Sequence, residues 1–408
     1  MRRVTVKSLK QRVAWVFLAF ALASFSSSAA PSETNVFSAA ARLFDTTFYD
    51  RAEAGFSNFV ATYTNSVHRP LAILFQARSR FYQSNYVGAI TLLQQNTTNA
   101  NGSADEYQFW IARSLFEKTD YRAAADAFGG LLQNFPRSSH RLEAAFSQAK
   151  AYSLLSDWPK VIQLLEKSDG SFQTAARTQP DSAIGVDGFL LFAEALFRER
   201  RNADAEQVVR AMKVDPAMKE ANWRRYYLLC RIQFVAGKTQ AALMNTTTML
   251  SAAKGQRQWM AESKFLEAEI LEKLDRYSDA LQSYTNNLAE DLPTNIQRQS
   301  LFKTIELMLK LGQTDEAIKH LETFIEQRPK DPSLDVARLS LGELELKAYD
   351  TATRSQASAD SGAATNLLQL AATNFGRVIV DFPQSPLLGK TYLDRGWCDW
   401  LQGHVREA

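Results

Sequence analysis

Residues 107–138 carry the pattern that decides the fold, and they read YQFWIARSLFEKTDYRAAADAFGGLLQNFPRS. Apolar side chains recur at i, i+3 and i+4 in residues 107–118 and again in residues 123–134, which predicts two amphipathic helices. Thr119 and Asp120, between these segments, favour a turn. Ala112 and Ala124 are small, as is required where two helices cross closely. The stretch therefore predicts a tight helical hairpin.

The same hairpin pattern returns about every 37 residues along the chain. The positions equivalent to Ala124, which we call the anchors, are Ala52, Ala89, Ala124, Val161, Ala205, Ala242, Ala280, Ala317, Ala371 and Ala408. The positions equivalent to Ala112, the small residues of the first helices, are Ala40, Ala77, Ala112, Ala149, Ala193, Cys230, Ala268, Gly342 and Gly396, with Ile305 as the exception. A fixed period of roughly 20 to 50 residues indicates stacked repeats.

Large side chains surround each predicted helix crossing. An aromatic residue often lies three positions before the anchor, as in Tyr86 and Tyr121, and a large apolar residue lies four positions after it, as in Leu93 and Phe128. One such hairpin cannot bury its apolar side chains alone, so neighbouring hairpins must stack. The sequence therefore predicts an all-α chain of about ten stacked helix–turn–helix repeats.

These residues resemble the tetratricopeptide repeat family over about residues 34–408. Phrases such as Asp120-Tyr121, Ala124 and Phe135-Pro136-Arg137-Ser138 are similar to those of periplasmic and outer-membrane-associated bacterial members of the family. Such members include the cell-division coordinator and a lipoprotein of the β-barrel assembly machine. The resemblance implies a right-handed α-solenoid that acts as a non-catalytic scaffold. It would bind a protein or peptide partner of the cell envelope in a concave groove. Self-assembly along the solenoid axis is an alternative.

The family's pattern also assigns candidate groove residues. The residue after each small position tends to face the groove, which points to Arg78, Arg113, Lys150, Arg231, Glu269, Glu306 and Glu343. A second slot, three residues before the small position, is apolar and adds Phe109, Phe146 and Tyr227. Cationic residues dominate the first half and acidic residues the second, so the groove is expected to be bipolar. Solvated charges without a binding role are the alternative.

The cochaperone branch of the family grips a terminal carboxylate with a lysine in that apolar slot of its first repeat. Phe37 and Leu74 occupy the slot here, which argues against that ligand.

The first 29 residues have the layout of a secretory signal peptide. A cationic start with Arg2 and Arg3 leads into an apolar run from Val13 to Phe25, followed by small residues through Ala29. The run is short for a transmembrane helix, so cleavage near Ala29 and export to the periplasm or outer membrane are expected. A retained anchor is the alternative.

Net charge gives no reason to expect nucleic acid as a partner. The chain has 47 basic and 44 acidic residues. Five of the basic residues lie in the predicted signal peptide, which leaves 42 basic against 44 acidic residues in the remainder. A nearly balanced chain lacks the electrostatic footprint of a nucleic-acid-binding protein.

No catalytic, cofactor-binding or metal-binding motif is present in the sequence. His68, His140, His320 and His404 are scattered among different repeats without metal-ligand spacing. No phosphate loop or nucleophile elbow occurs, so neither an enzyme nor a small-molecule substrate is expected. The alternative is an adaptor region of a larger envelope peptidase or wall hydrolase whose catalytic part lies beyond residue 408.

Three places depart from the repeat rhythm. Longer connections are predicted near residues 168–187 and 350–366, either as flexible loops or helical extensions or as partner-binding loops. The last repeat has only its first helix, which would leave Trp397, Trp400 and Leu401 without an intra-repeat partner. The chain is therefore expected to continue past Ala408.

Overall fold

The computed structural model describes residues 32–289, 292–354 and 361–408, with side chains from residue 364 in the last range. The segment predicted as a signal peptide, residues 1–29, lies outside these ranges. Across them the chain forms twenty α-helices and three short 3₁₀ helices, and no strand. This confirms the all-α class predicted from the repeat pattern.

The chain divides into two compact units. One contains the described residues up to Lys160 together with Ser168–Ala175, and the other contains Val161–Lys167 and Ala176–Ala408. In chain order the first eight helices are α1 Glu33–Asp45, α2 Tyr49–Thr62, α3 Arg69–Tyr82, α4 Tyr86–Gln95, α5 Ala104–Glu117, α6 Tyr121–Asn134, α7 Arg141–Leu154 and α8 Trp158–Glu166. A short extra helix, α9 (Ser171–Thr178), follows them.

The remaining helices continue the same alternation. They are α10 Ala183–Arg198, α11 Asn202–Ala211, α12 Lys219–Val235, α13 Thr239–Ala252, α14 Arg257–Lys273, α15 Tyr277–Thr285, α16 Thr294–Lys310, α17 Thr314–Gln327, α18 Leu334–Arg354, α19 Ser361–Asp381 and α20 Leu388–Leu401. Helices α6, α17 and α19 end two residues before Pro136, Pro329 and Pro383, as a residue that cannot continue a helix predicts.

Helical hairpins stack in sequence order inside each unit. In the first unit the first helices α1, α3 and α5 contact one another in turn, and each second helix also touches the next first helix. In the second unit α10, α12, α14, α16, α18 and α20 form the corresponding series. This is the nearest-neighbour contact pattern of a repeat protein, in which every hairpin buries its apolar side chains against the next.

The small residues lie where the two helices of a hairpin cross. The anchors from Ala52 to Ala371 are all buried, and so are the small residues from Ala40 to Ala268. Cys230 Sγ lies 3.6 Å from the carbonyl oxygen of Ala242, the anchor of the same hairpin. A Cβ added at Gly342 would lie 2.7 Å from the ring of Phe375. The spacing recognised in the sequence is therefore a packing requirement, because a larger side chain would push the helices apart.

A left-handed residue ends the first helix of nearly every hairpin. It lies five positions before the anchor, with φ between 59° and 82°, at Thr47, Ser84, Thr119, Ser156, Arg200, Gly237, Asp275, Gly312 and Gly403. The next amide donates to a carbonyl five residues earlier, as Asp120 N does to Leu115 O at 3.0 Å. This is a Schellman-type ending that satisfies carbonyls at the helix end. Six of these nine residues are not glycine, so most of these turns hold a strained backbone.

Replacing Thr119 by glycine is expected to raise the free energy of unfolding by about 1 kcal/mol. Thr119 is exposed, its φ is 67°, and a β-branched residue is costly in this conformation. Part of the gain is offset because glycine increases the entropy of the unfolded chain. Chemical denaturation of both proteins measures the difference. The matched control is Thr248→Gly in the exposed interior of α13, which should instead lose a few tenths of a kcal/mol. A loss at Thr119 as well would contradict the strain argument.

Among the described residues, helices lie at both places where the sequence departs from the repeat period. The segment near residues 168–187 contains α9, whose Phe172, Ala175 and Ala176 are buried. The segment near residues 350–366 is flanked by α18 and α19, each of 21 residues. Part of the inserted sequence therefore lengthens both helices of this hairpin, α18 up to Arg354 and α19 from Ser361.

Candidate protein-binding surface

The first helices of the first unit bring two arginines and three aromatic rings together. We call this set, Phe44 of α1, Phe75 and Arg78 of α3, and Trp110 and Arg113 of α5, the arginine–aromatic face. The guanidinium carbon of Arg78 lies 4.9, 4.8 and 4.9 Å from the ring centroids of Phe44, Phe75 and Trp110. Rings at this distance stabilise a cation and fix the plane of the guanidinium.

Arg113 extends the same arrangement by one repeat. Its guanidinium carbon lies 5.1 Å from the ring of Trp110 and 5.3 Å from that of Phe81. Arg113 also forms an ion pair with Glu143 of α7, but the closest N–O distance is 3.6 Å. Since both side chains are about one-third exposed, this pair is a weak, solvent-screened contact.

A partly buried chain of hydrogen bonds holds Trp110 in place. The indole Nε1 donates to Glu106 Oε2 at 3.2 Å, and His140 Nε2 lies 2.8 Å from Glu106 Oε1. The hydrogen bond with His140 lowers the pKa of Glu106, and the same bond raises the pKa of His140. The imidazole ring also stacks on Phe109 at 3.9 Å. Each group orients the next, so the position of Trp110 is set by α5 and α7 together.

In the part of the chain that the structure describes, the guanidinium of Arg78 has no hydrogen-bond acceptor. Its Nε is buried and makes no hydrogen bond, and none of the residues in the described ranges accepts a hydrogen bond from its guanidinium. The ring of Trp110 is held by Glu106 and Arg113, and neither residue is hydrogen-bonded to the N–H groups of Arg78. A guanidinium whose faces are covered by rings and whose N–H groups are unoccupied is suited to bind an anion at its edge.

The other predicted residues of the first unit have different surroundings. Phe109 is 1% exposed, so its ring packs between neighbouring repeats and does not present a contact surface to a partner. Phe146 is partly buried, and Lys150 is exposed. No ion pair of Lys150 is found within the described part of the chain. Of the predicted first-unit residues, Arg78 and Arg113 are therefore the two that share an environment.

In the second unit the predicted residues are mostly engaged with neighbours. Arg231 lies over the rings of Phe197 and Tyr227, at 5.1 and 5.8 Å, and forms an ion pair with Glu194 at 3.4 Å. Burial raises the pKa of Glu269.

Two of the acidic residues have lysine partners. Glu306 pairs with Lys303 at 3.1 Å, and Glu343 pairs with Lys390. The acidic charge predicted for the groove in the second half of the chain is thus partly neutralised by Lys303 and Lys390, which are not among the predicted groove residues.

Two aromatic residues of the arginine–aromatic face could have been recognised from their spacing in the sequence, although the repeat positions used to choose groove residues do not include them. Phe75 precedes Arg78 by three residues, and Trp110 precedes Arg113 by three residues. Residues three apart are neighbours on a helix surface, so an aromatic residue there lies against the arginine. Phe44 has no such signal, because it reaches Arg78 from the neighbouring helix.

An exposed aromatic pair lies on α20. The rings of Trp397 and Trp400 stack at 4.9 Å, and each residue is 52% exposed. Leu401 beside them is partly buried.

Two kinds of site are not found where the structure is described. No three His, Cys, Asp or Glu side chains in residues 32–289, 292–354 and 361–408 are grouped so that they could hold a metal ion. In the same ranges, no helix combines the length and hydropathy that crossing a bilayer would need.

Comparison with known families identifies the repeat. The sequence profile of the tetratricopeptide repeat matches residues 106–138, which span most of the hairpin α5–α6, and residues 299–331, which span much of α16–α17. Both matches fall on hairpins recognised from their spacing, so the predicted resemblance to tetratricopeptide repeat proteins is confirmed. A comparison with curated protein sequences finds no match.

Solved structures support the same fold. The C-terminal part of a TPR repeat-containing protein from Cytophaga hutchinsonii is 16% identical with a TM-score of 0.50, and the alignment covers 62% of this chain and 95% of that chain.

Two further structures are less similar. A tetratricopeptide repeat protein from Parabacteroides merdae is 12% identical with a TM-score of 0.43, covering 68% of this chain and all of that chain. A chain of the Naa15/Naa10 complex bound to HypK-THB is 12% identical with a TM-score of 0.40. Its match covers 92% of this chain but only 62% of that chain.

Proposed function

We propose that this chain is a non-catalytic scaffold of the bacterial cell envelope that binds a segment of a protein partner along its first helices. The tetratricopeptide repeat fold is typical of protein–protein interaction scaffolds, which are generally not enzymes. The observation that carries the proposal is the arginine–aromatic face. There, the partly exposed Arg78 is held among three rings, and no residue that the structure describes accepts a hydrogen bond from its guanidinium.

The face has the composition of a binding surface. Phe44 and Trp110 are buried and support the two arginines, which are partly exposed. Arginine is enriched among the side chains that dominate protein–protein binding energy. Their side chains here are fixed by stacking and by the Glu106–His140 pair, so little conformational entropy would be lost when a partner binds. Extended or helical segments are the partner elements that such helical repeat surfaces can accept.

Site-specific photocrosslinking tests the proposed surface. A benzophenone amino acid at Tyr82, which is 41% exposed and lies beside Trp110, is expected to crosslink the chain to a specific envelope protein. The matched control is Val87 on the second helix α4, which is exposed but lies off the proposed surface. Equal crosslinking from both positions, or none from Tyr82, would count against binding at the first helices.

The envelope location rests on the N-terminal sequence. The cationic start, the short apolar run and the small residues ending at Ala29 support export by a secretory signal. N-terminal sequencing of the protein recovered from the cell envelope is expected to begin near Ala29. An intact Met1 in that fraction would instead support the retained anchor, and recovery from the cytoplasm alone would exclude the envelope role.

A further inference from the structure

We propose that Arg78 and Arg113 form a binding site for the carboxylates of an acidic segment in the protein partner. The proposal rests on the scaffold function above and specifies the chemistry that the first unit recognises. The ring of Trp110 lies 4.9 Å from the guanidinium carbon of Arg78 and 5.1 Å from that of Arg113. One fixed indole therefore positions two cationic groups from successive repeats.

The covered faces of Arg78 limit how a ligand can approach. Three rings contact the guanidinium at 4.8 to 4.9 Å, so a partner's aromatic side chain finds little open face on which to stack. Nε is buried, so the N–H groups of the two terminal Nη atoms are the donors left at the edge. These two nitrogens can donate two parallel hydrogen bonds to one carboxylate.

The surrounding charges favour an anionic ligand. Lys150 on α7 adds a third cationic side chain in the next repeat, and it is exposed. Of the nearby carboxylates, Glu106 is hydrogen-bonded to His140 and Trp110, so its oxygens are engaged on the side of these two groups. Glu143 is 3.6 Å from Arg113, which is longer than a hydrogen bond, so an incoming carboxylate can displace it. Charge complementarity therefore points to glutamate or aspartate in the partner.

Arginine rather than lysine is required by this geometry. A lysine ammonium is a compact point charge that cannot stack its faces between rings or present two parallel donors. Arg78→Lys keeps the charge and removes both features. It therefore separates a bidentate site from a general electrostatic attraction, and it is less disruptive to packing than removal of the side chain.

The binding test uses the chain without residues 1–29 and a short fluorescein-labelled glutamate-rich peptide as the probe. Fluorescence anisotropy is expected to show a Kd that rises at least about tenfold in Arg78→Gln and in Arg113→Gln. Arg78→Lys should weaken binding by a similar factor. Arg137→Gln, an exposed arginine in the loop after α6, is the matched control and should change Kd by less than about twofold.

Matched peptides define the ligand chemistry. Replacing the glutamates by glutamine should weaken binding at least about tenfold, and binding of the glutamate peptide should fall as salt is added. A glutamine peptide that binds equally well would overturn the proposal. So would a phosphoserine peptide that alone binds, since the site would then select phosphate.

The outcomes also separate this proposal from the scaffold function. Normal crosslinking from Tyr82 combined with no binding of the glutamate peptide would reject the acidic ligand and leave the scaffold function standing. Circular dichroism of each variant checks that it folds. If Arg78→Gln is unfolded, Arg78→Lys and Arg113→Gln decide the result, and unchanged Kd in both would overturn the site.

Discussion

Replacing Phe375 by alanine is expected to lower the free energy of unfolding of the second unit by about 3–5 kcal/mol. Phe375 is fully buried in the long hairpin of α18 and α19, where it packs with Leu339, Leu368 and Cys398. Removing the ring loses its burial and leaves a cavity that two rigid helices cannot easily close. Urea denaturation followed by hydrogen exchange would measure the loss and locate it. Damage should concentrate in this hairpin and its neighbours, because repeats interact mainly with adjacent repeats.

The close approach of Phe375 to Gly342 provides an internal control. A Cβ at residue 342 would lie 2.7 to 3.0 Å from three ring carbons, so Gly342→Ala should destabilise the native chain by overpacking. In the Phe375→Ala background the added methyl has space, and alanine favours the helix over glycine by about 1 kcal/mol. The second substitution should therefore change sign between the two backgrounds. Leu370→Ala, at an exposed position of α19, should change stability by less than about 1 kcal/mol. Additive losses would disprove the contact.

Replacing Glu345 by glutamine is expected to raise stability at about pH 8 by up to roughly 3 kcal/mol, and to have little effect near pH 4. Glu345 is 4% exposed on α18, and burial raises the pKa of its carboxyl to about 7, against a hydrogen bond from Asn374 at 2.9 Å that lowers it. Between about pH 4.5 and pH 7 the unfolded chain releases this proton while the folded chain keeps it. Stability contributed by this group therefore falls as pH rises through that window.

Urea denaturation of both proteins at several pH values measures this effect. The amide of glutamine keeps an acceptor for Asn374 and carries no charge, so the variant should lack the decline of the native chain. Glu326→Gln, at an exposed position of α17, is the matched control, and the pH-dependent gain should be confined to the buried position. A gain of the same size at about pH 4 and about pH 8 would contradict a titrating carboxyl as the cause.

The spacing of small residues predicts most of the fold because it reports a local packing rule. Ala112 and Ala124 lie in adjacent helices of one hairpin, so the pattern that identifies them is complete within about 37 residues. The amphipathic segments around them likewise fix the helices that form. The lengthened hairpin around residues 350–366 was less specified, since its helical ends carry no repeat of the pattern.

The candidate surface was harder to predict than the fold. Arg78 and Arg113 follow from the repeat register, but Phe44 reaches Arg78 from a neighbouring helix, and no sequence spacing encodes that contact. Phe109 was expected to face the groove, and tertiary packing buries it against His140 instead. The acidic slots illustrate the same limit, because Lys390 comes from the next repeat to pair with Glu343. Side-chain partners across repeats depend on the stacking itself.

The strained left-handed turns mean that the free energy of unfolding of this chain could be raised by substitution at the turns alone. Six of the nine turns carry Thr47, Ser84, Thr119, Ser156, Arg200 or Asp275 where glycine would relieve the backbone. The turns lie in different repeats, so six glycine substitutions should contribute nearly additively. Because the arginine–aromatic face contains none of these residues, heat resistance could be engineered independently of partner recognition.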